Sequence, residues 1–206
     1  MNDAQKTPLQ IHQMDPDPLT QFNRWYQEAE QAGIALANAM CLATATPQGQ
    51  PSARMVLLKE VDARGFVFYT NCQSRKGREL EANPFASLVF YWLPLSRQVR
   101  IEGVVEHVTA EESDAYFASR PRSFQLGAHA SRQSQVIQDR QVLDVAFEKA
   151  SRTFSGEDVS RPAHWGGYRV VPEAIEFWQE GANRLHDRLR YRRNDAQVWV
   201  IDRLAP

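Results

Sequence analysis

The chain is poor in the groups that carry metal, redox and nucleophilic chemistry. Its 206 residues include two cysteines, Cys41 and Cys72, too few for a disulfide framework. Five histidines (His12, His107, His129, His164, His186) are scattered without metal-ligand spacing, so no metal site is expected. There is no Gly-x-Gly-x-x-Gly turn, P-loop, Cys-x-x-Cys pair or Gly-x-Ser-x-Gly elbow. No apolar run approaches the roughly 20 residues of a membrane span, and no basic-then-apolar leader opens the chain. The expectation is a soluble, cytoplasmic protein in a reducing compartment. Charge excess is missing as well: 24 Lys+Arg stand against 25 Asp+Glu, a net charge of -1. No global field therefore favours nucleic acid or an anionic membrane, and positive potential must be local. Hard chemistry would have to arrive with an organic cofactor.

What is present is enough for one full core. With 43% hydrophobic residues, the length suits a single domain, expected over residues 18–206 behind a polar, mobile N-terminal arm at 1–17. Leu19, Phe22, Trp25, Ala29 and Ala32 recur at helical spacing and stop at Gly33. Strands are expected at 39–46, 52–61 and 66–71, joined by short turns at Pro47-Gln48-Gly49-Gln50 and Asp62-Ala63-Arg64-Gly65. Two short turns imply an antiparallel meander. Further strands are expected at 85–93, 97–108, 168–178, 184–193 and 197–203. Thr109-Ala110-Glu111-Glu112 reads as a capping box whose helix Pro121 must end. Residues 122–138 read as a polar connection, followed by a helix with Leu143, Phe147, Ala150 and Phe154 as its buried stripe. Seven or eight short strands with inserted helices predict a mainly β, α+β antiparallel barrel or sandwich.

Positive charge gathers in a few places. In Arg184-Leu185-His186-Asp187-Arg188-Leu189-Arg190-Tyr191-Arg192-Arg193, strand alternation would put five cationic or imidazole side chains on one face. Such a face either asks for a phosphate or carboxylate or is a charged edge that resists aggregation. Ser74 should cap a helix that begins with Arg75 and Lys76. Cations there oppose the helix dipole, and a phosphate would reconcile side chains with free N–H groups. Arg54 and Lys59 bracket Met55-Val56-Leu57-Leu58; five apart on a strand they point to opposite faces, serving separate jobs or merely ending the strand. Tyr116 and Arg120 lie one turn apart, able to grip a phosphate or to stack at the surface. Gln98 shares a polar strand face with Arg100 and Glu102, and faces either a heterocycle's edge or water.

Taken together, Arg54-Met55-Val56-Leu57-Leu58-Lys59, Phe68-Tyr69-Thr70-Asn71 with Ser74-Arg75-Lys76, Arg120-Pro121-Arg122, Trp165-Gly166-Gly167, Glu176-Phe177-Trp178-Gln179, Arg184-Leu185-His186-Asp187-Arg188 and the terminal Ile201-Asp202-Arg203-Leu204-Ala205-Pro206 resemble the pyridoxine/pyridoxamine 5'-phosphate oxidase family, from about Asp17 to the last residue. The resemblance implies a homodimeric, Greek-key-like FMN-binding split β-barrel with peripheral helices. It would oxidise pyridoxamine 5'-phosphate or pyridoxine 5'-phosphate to pyridoxal 5'-phosphate, in vitamin B6 biosynthesis and salvage, with O2 reoxidising the flavin to give H2O2. It implies that Arg54, Met55, Val56, Leu57, Leu58, Lys59, Tyr69, Thr70, Arg75, Lys76 and Gln98 hold FMN from one subunit, and Gln133, Ser134, Trp178 and Arg188 from the other. Lys59, Tyr116 and Arg120 would hold the substrate phosphate, while Arg184 and His186 would lie against the pyridine ring as the catalytic pair. Two departures stand out. The family pattern Arg-Pro-Arg-Asp-Ser-Gln is here Arg120-Pro121-Arg122-Ser123-Phe124-Gln125, which removes a phosphate-binding serine, and His129 replaces a common Trp. The rival readings are a non-catalytic flavin or pyridoxal-phosphate carrier and a split-barrel flavin reductase using a nicotinamide donor.

Overall fold

The computed structural model describes residues 7–206; residues 1–6, part of the expected arm, lie outside the described residues. Helix α1 (Pro18–Gln31) starts where the Asp17 carboxylate accepts the backbone N–H groups of Leu19 and Thr20, donors that the first turn cannot satisfy itself. Its Phe22, Trp25 and Ala29 are buried, and Phe22 meets Phe66 edge-on at 4.9 Å. The helix thereby packs its apolar face into the core of the curled sheet.

Among the described residues nine antiparallel strands form that sheet: β1 (Ala39–Ala45), β2 (Pro51–Leu57), β3 (Glu60–Asp62), β4 (Gly65–Asn71), β5 (Phe85–Trp92), β6 (Arg97–His107), β7 (Trp165–Gln179), β8 (Asp187–Arg193) and β9 (Trp199–Arg203). The order is β2-β1-β5-β6-β7-β4-β3, with β8 on β7 and β9 on β8. Strand β7 changes partner midway along one edge. Residues 165–170 pair with β4, residues 174–179 pair with β8, and the other edge stays on β6. Pro172 sits at the change; it has no N–H to give a ladder. The sheet splits there, and the result is a split β-barrel. Among the described residues no helix is long and apolar enough to cross a membrane.

Four more helices decorate the barrel: α2 (Arg75–Ala82), α3 (Ala110–Ser119), α4 (Arg122–Ala130) and α5 (Gln141–Thr153). The main core is aromatic and aliphatic, with Met40, Leu42, Phe68, Leu88, Phe90, Val99, Ile101, Ile175 and Phe177 fully buried. A second small core under α3, α4 and α5 gathers Phe117, Leu126, Ala150, Val159 and Trp165.

Several expectations need correction. The single strand at 52–61 is two, because successive N–H groups go to opposite edges: Leu58 donates to the Asn38 carbonyl (2.8 Å) and Lys59 to that of Val67 (2.9 Å). The chain crosses the barrel at that step, so β2 pairs with β1 and β3 with β4, and the three-strand meander does not form. The connection at 122–138 contains helix α4. In the stripe expected on α5 only Ala150 is buried, and Phe147 stays exposed. Strand β8 begins at Asp187, after a 3-10 turn at Ala182–Arg184. Residues 7–17 of the expected arm lie along the C-terminal strands: Leu9 N–H donates to Asp187 (3.0 Å), Gln179 to the Thr7 carbonyl (3.0 Å) and Tyr191 OH to the Asp15 carbonyl (2.8 Å).

Candidate active site at two cation clusters

The first cluster forms where β4 runs into α2. Ser74 caps the helix through Gly77 N–H, and the first turn carries Arg75 and Lys76 as expected. Lys76 is buried, and among the described residues its Nζ donates only to uncharged oxygens: Gln133 Oε1 (2.8 Å), Thr70 Oγ1 (3.2 Å) and Ser74 Oγ (3.3 Å). Burial, with a smaller push from Arg54, drags its pKa down to about 8. A buried ammonium without a carboxylate is an unsatisfied charge waiting for an anion.

Beside it Glu79 organises the arginines. Its buried carboxylate accepts from Arg75 Nε (2.8 Å), Arg54 Nη2 (3.3 Å), Thr44 Oγ1 (2.5 Å) and Ser52 Oγ (2.5 Å). Burial pushes this acid up, but the hydrogen bonds from Ser52, Thr44 and Arg75 hold it down to about 2. Arg54 also donates to the Leu42 carbonyl (3.1 Å) and Thr44 Oγ1 (2.7 Å). Of the apolar run after Arg54, Met55 and Leu57 are exposed, Val56 packs on the core and Leu58 is buried in it. The resemblance gave Gln133 and Ser134 to a partner subunit. Here they close on their own chain, Gln133 on Lys76 and Ser134 Oγ on the Arg75 N–H (3.1 Å).

The second cluster is built around Tyr69, the β4 neighbour of Thr70. Tyr69 stacks on Tyr116 with centroids 4.2 Å apart and on Trp165 at 5.4 Å. Gly167 makes this possible, since a Cβ there would come within 2.6 Å of the Tyr69 ring. Arg120 caps α3 and lies over the Trp165 ring at 4.7 Å. Its Nη1 is buried without a hydrogen-bond partner among the described residues, and burial lowers its pKa. Lys59 Nζ reaches over Tyr116 at 5.6 Å. Lys59 and Arg120 thus flank the stacked Tyr116 and Trp165 rings, with Arg120 a second unpartnered cation among the described residues.

A third group occupies the far end of β7. Gln98 of β6, Trp178 of β7 and Arg188 of β8 form one cross-strand row. Trp178 meets the His186 ring at 4.8 Å. The turn before β8 is tight: Asn183 and Arg184 adopt left-handed φ of 55° and 61°, a conformation that non-glycine residues seldom hold without a reason. Gly181 N–H donates to His186 Nδ1 (3.2 Å), which assigns the proton of the neutral ring to Nε2. Any Cβ at Gly181 would lie 2.1 Å from the Leu185 carbonyl oxygen. Arg184 is exposed beside it. Strand β7 has 15 residues, a contour of roughly 45 Å, so this group and the Trp165 cluster sit at its opposite ends.

The wholly cationic strand face is corrected by the structure. Arg184 and His186 precede the strand, and the arginines on it find acids: Arg188 forks onto Glu176 (2.8 and 3.0 Å), while Arg190 and Arg192 share Asp202 (2.9 and 2.7 Å). The free cations lie instead at Lys76 and Arg120. Sequence reading gave Glu112 only a capping role and Glu79 and Glu176 no role in holding the cations, and it passed over the buried Arg169. The available signals were Glu79 four residues after Arg75 and a lone Arg inside the apolar run 165–171. Of the departures, Ser123 and Phe124 lie in the first turn of α4, Phe124 exposed. His129 is structural, facing Phe154 at 4.7 Å and the Ser160 carbonyl at 2.8 Å.

Comparisons with known proteins give the chain's family and fold. A family model described as pyridoxamine 5'-phosphate oxidase matches residues 26–154, and one described as the pyridoxine 5'-phosphate oxidase C-terminal dimerisation region matches residues 165–206. The chain is 56% identical over 204 residues to pyridoxine/pyridoxamine 5'-phosphate oxidase 1 of Ralstonia nicotianae, covering 99% of this chain and 96% of that protein. It is 58% identical over 192 residues to the Rubrobacter xylanophilus pyridoxine/pyridoxamine 5'-phosphate oxidase, covering 93% and 88%. Among solved structures, PhzG of Burkholderia lata, in complex with tetrahydrophenazine-1-carboxylic acid, superposes with a TM-score of 0.89 at 33% identity over 95% of each chain. A pyridoxamine 5'-phosphate oxidase-related FMN-binding protein of Nostoc punctiforme shares the fold, with a TM-score of 0.74 at 17% identity over 94% of this chain and 100% of that one.

Proposed function

Because the chain belongs to the pyridoxamine 5'-phosphate oxidase family, we propose that it is an FMN-dependent oxidase converting pyridoxamine 5'-phosphate or pyridoxine 5'-phosphate to pyridoxal 5'-phosphate. The observation that carries this reading is the pair of cations without acid partners among the described residues, the buried Lys76 and the half-buried Arg120 with its orphaned, buried Nη1. Lys76 bonds Thr70, Arg120 lies over Trp165, which stacks on the adjacent Tyr69, and the two suit two phosphorylated aromatic molecules. The first cluster fits the cofactor's phosphate: Lys76, Arg75 and Arg54 supply charge and the α2 N-terminus supplies N–H donors. The second fits the substrate's phosphate through Lys59, Tyr116 and Arg120. FMN, when bound, supplies the hydride acceptor and passes the electrons to O2, giving H2O2.

The chain's own contribution is positioning. Arg184 and the Nε2–H of His186 orient the pyridine ring, and neither forms a covalent bond; rate comes from alignment and fixed charge. Because Arg184, His186, Trp178 and Arg188 stand at the opposite end of β7 from the Trp165 cluster, one site would draw them from a second copy. That suits the dimerisation region matched over the same stretch. A homodimer with FMN at its interface follows, with Trp178 and Arg188 reaching the cofactor of the partner and Gln98 in the same row.

The test is peroxide release. FMN-loaded protein should form H2O2 with pyridoxamine 5'-phosphate and leave NADPH unoxidised. Bleaching by NADPH alone would select a flavin reductase, and a flavin inert to both would select a carrier.

A further inference from the structure

We propose that Arg169, acting through Glu112, is a positioning residue for the phosphate-binding pair Tyr116 and Arg120. The inference rests on the assignment of that pair to the substrate phosphate. Arg169 lies on β7 and is 1% exposed. Its Nη2 donates to Asp62 Oδ2 (2.9 Å) and Glu112 Oε1 (3.0 Å), and its Nη1 to Glu106 Oε1 (3.3 Å). Arg64 adds a surface contact to Glu112 Oε1 (2.8 Å) and Asp62 Oδ2 (3.2 Å). The acids come from β3, β6 and the first turn of α3, so one buried guanidinium ties three elements to β7. Such a charge is costly unless every partner stays in place, which makes the network a rigid joint.

Glu112 passes that rigidity to the helix. Its Oε2 accepts the Thr109 N–H (2.7 Å) in the capping box, its Oε1 takes the arginines, and its backbone carbonyl accepts from Tyr69 OH (3.4 Å). The first turn of α3 is therefore pinned to β7 and β4 together. Tyr116 follows four residues later on the same face, stacked on Tyr69 of β4 at 4.2 Å, and Arg120 ends the helix over Trp165 of β7 at 4.7 Å. Phe117, in the second core, and Ser113, which accepts the Gly167 N–H at 3.3 Å, hold a different face. Setting Tyr116 and Arg120 against their two strands falls to the Glu112 joint. The Thr109 N–H and the Arg169 guanidinium hold the Glu112 pKa down to about 2, so the joint stays charged throughout the working range.

Glu112→Gln isolates the effect. A carboxamide has one acceptor oxygen, so it can keep the Thr109 cap but then turns its NH2 toward the two arginines. Arg169→Lys, which keeps the buried charge and loses the fork, is the second variant, and Arg120→Ala tests the underlying assignment. Each FMN-loaded protein is assayed with pyridoxamine 5'-phosphate and with pyridoxamine, which lacks the phosphate. Glu112→Gln and Arg169→Lys should lower the ratio of the two kcat/KM values about tenfold, the scale that a small misplacement of binding groups produces. The loss should appear in KM for the phosphorylated substrate, with its kcat and the FMN content unchanged. A merely structural defect would depress both substrates together and leave the ratio alone. An unchanged ratio in the folded variants, with Arg120→Ala lowering it, overturns the inference and spares the phosphate assignment. An unchanged ratio in Arg120→Ala overturns both.

Discussion

Lys76 offers the sharpest test of the first anion site. In the unliganded protein its ammonium is buried among neutral oxygens, and burial brings it from the ordinary 10.5 to about 8. That depression corresponds to roughly 3 kcal/mol, at 1.36 kcal/mol per pKa unit. A phosphate dianion beside it favours the charged form and should return the pKa at least to its ordinary value. Between pH 8 and 10.5 binding must then draw a proton from solvent, and FMN affinity should fall about tenfold per pH unit in that window. Unfolding draws on the same imbalance. The folded unliganded protein binds fewer protons than the unfolded chain between these values, so the cost of the buried ammonium is complete below about pH 8 and relieved as pH rises towards 10.5. The FMN-loaded protein should lack that rise in stability. Calorimetric titration of the apoprotein with FMN at pH 9, in two buffers of different ionisation enthalpy, counts the protons directly. Lys76→Met should bind FMN more weakly, by the roughly 1.5–3 kcal/mol of a charged hydrogen bond, and show no proton uptake. A wild-type affinity that is flat from pH 7.5 to 9.5, with no uptake, would refute the reasoning.

Other outcomes follow from neighbouring contacts. Arg184→Ala should lower turnover far more than FMN affinity, whereas Arg75→Ala should release FMN; equal flavin loss in both would contradict that division of labour. Glu79→Gln should lower stability at pH 7 by about 3 kcal/mol, from the drop of its pKa from 4.5 to about 2. Because a depressed carboxylate stabilises above its unfolded pKa and loses that effect as pH falls through its folded one, the melting difference between wild type and variant should shrink from pH 4.5 towards 2. Gly181→Ala should displace His186, since the added Cβ meets the Leu185 carbonyl; steady-state assays should show lost kcat with FMN still bound.

Much of this architecture was legible in local chemistry. The Ser74 cap, the Thr109 capping box and the apolar period of α1 each depend on residues within a turn of one another. So did the conflict between cations and dipole at α2, which pointed to the first site. What was not legible depends on partners remote in sequence. The arginines of β8 read as either an anion-binding face or a charged edge, because Glu176 and Asp202, which neutralise them, come from other strands. The crossing at Leu58 and Lys59 is fixed by carbonyls of Asn38 and Val67, and alternation within one segment carries no trace of it. Helix α4 was hidden by its polar composition, with only Gln125 and Leu126 buried. Arg120 looked like half of a surface pair, and only the fold shows its Nη1 buried and unpartnered.

The central claim is that the two clusters of unpaired cations hold a flavin phosphate and a vitamer phosphate in one site. It is tested most directly by the absorption spectrum of the purified protein, reconstituted with FMN, during anaerobic addition of pyridoxamine 5'-phosphate. The account predicts oxidised flavin bands that disappear on addition of the amine and return when air is admitted. Protein that takes up no FMN, or bound flavin whose bands persist, would contradict it.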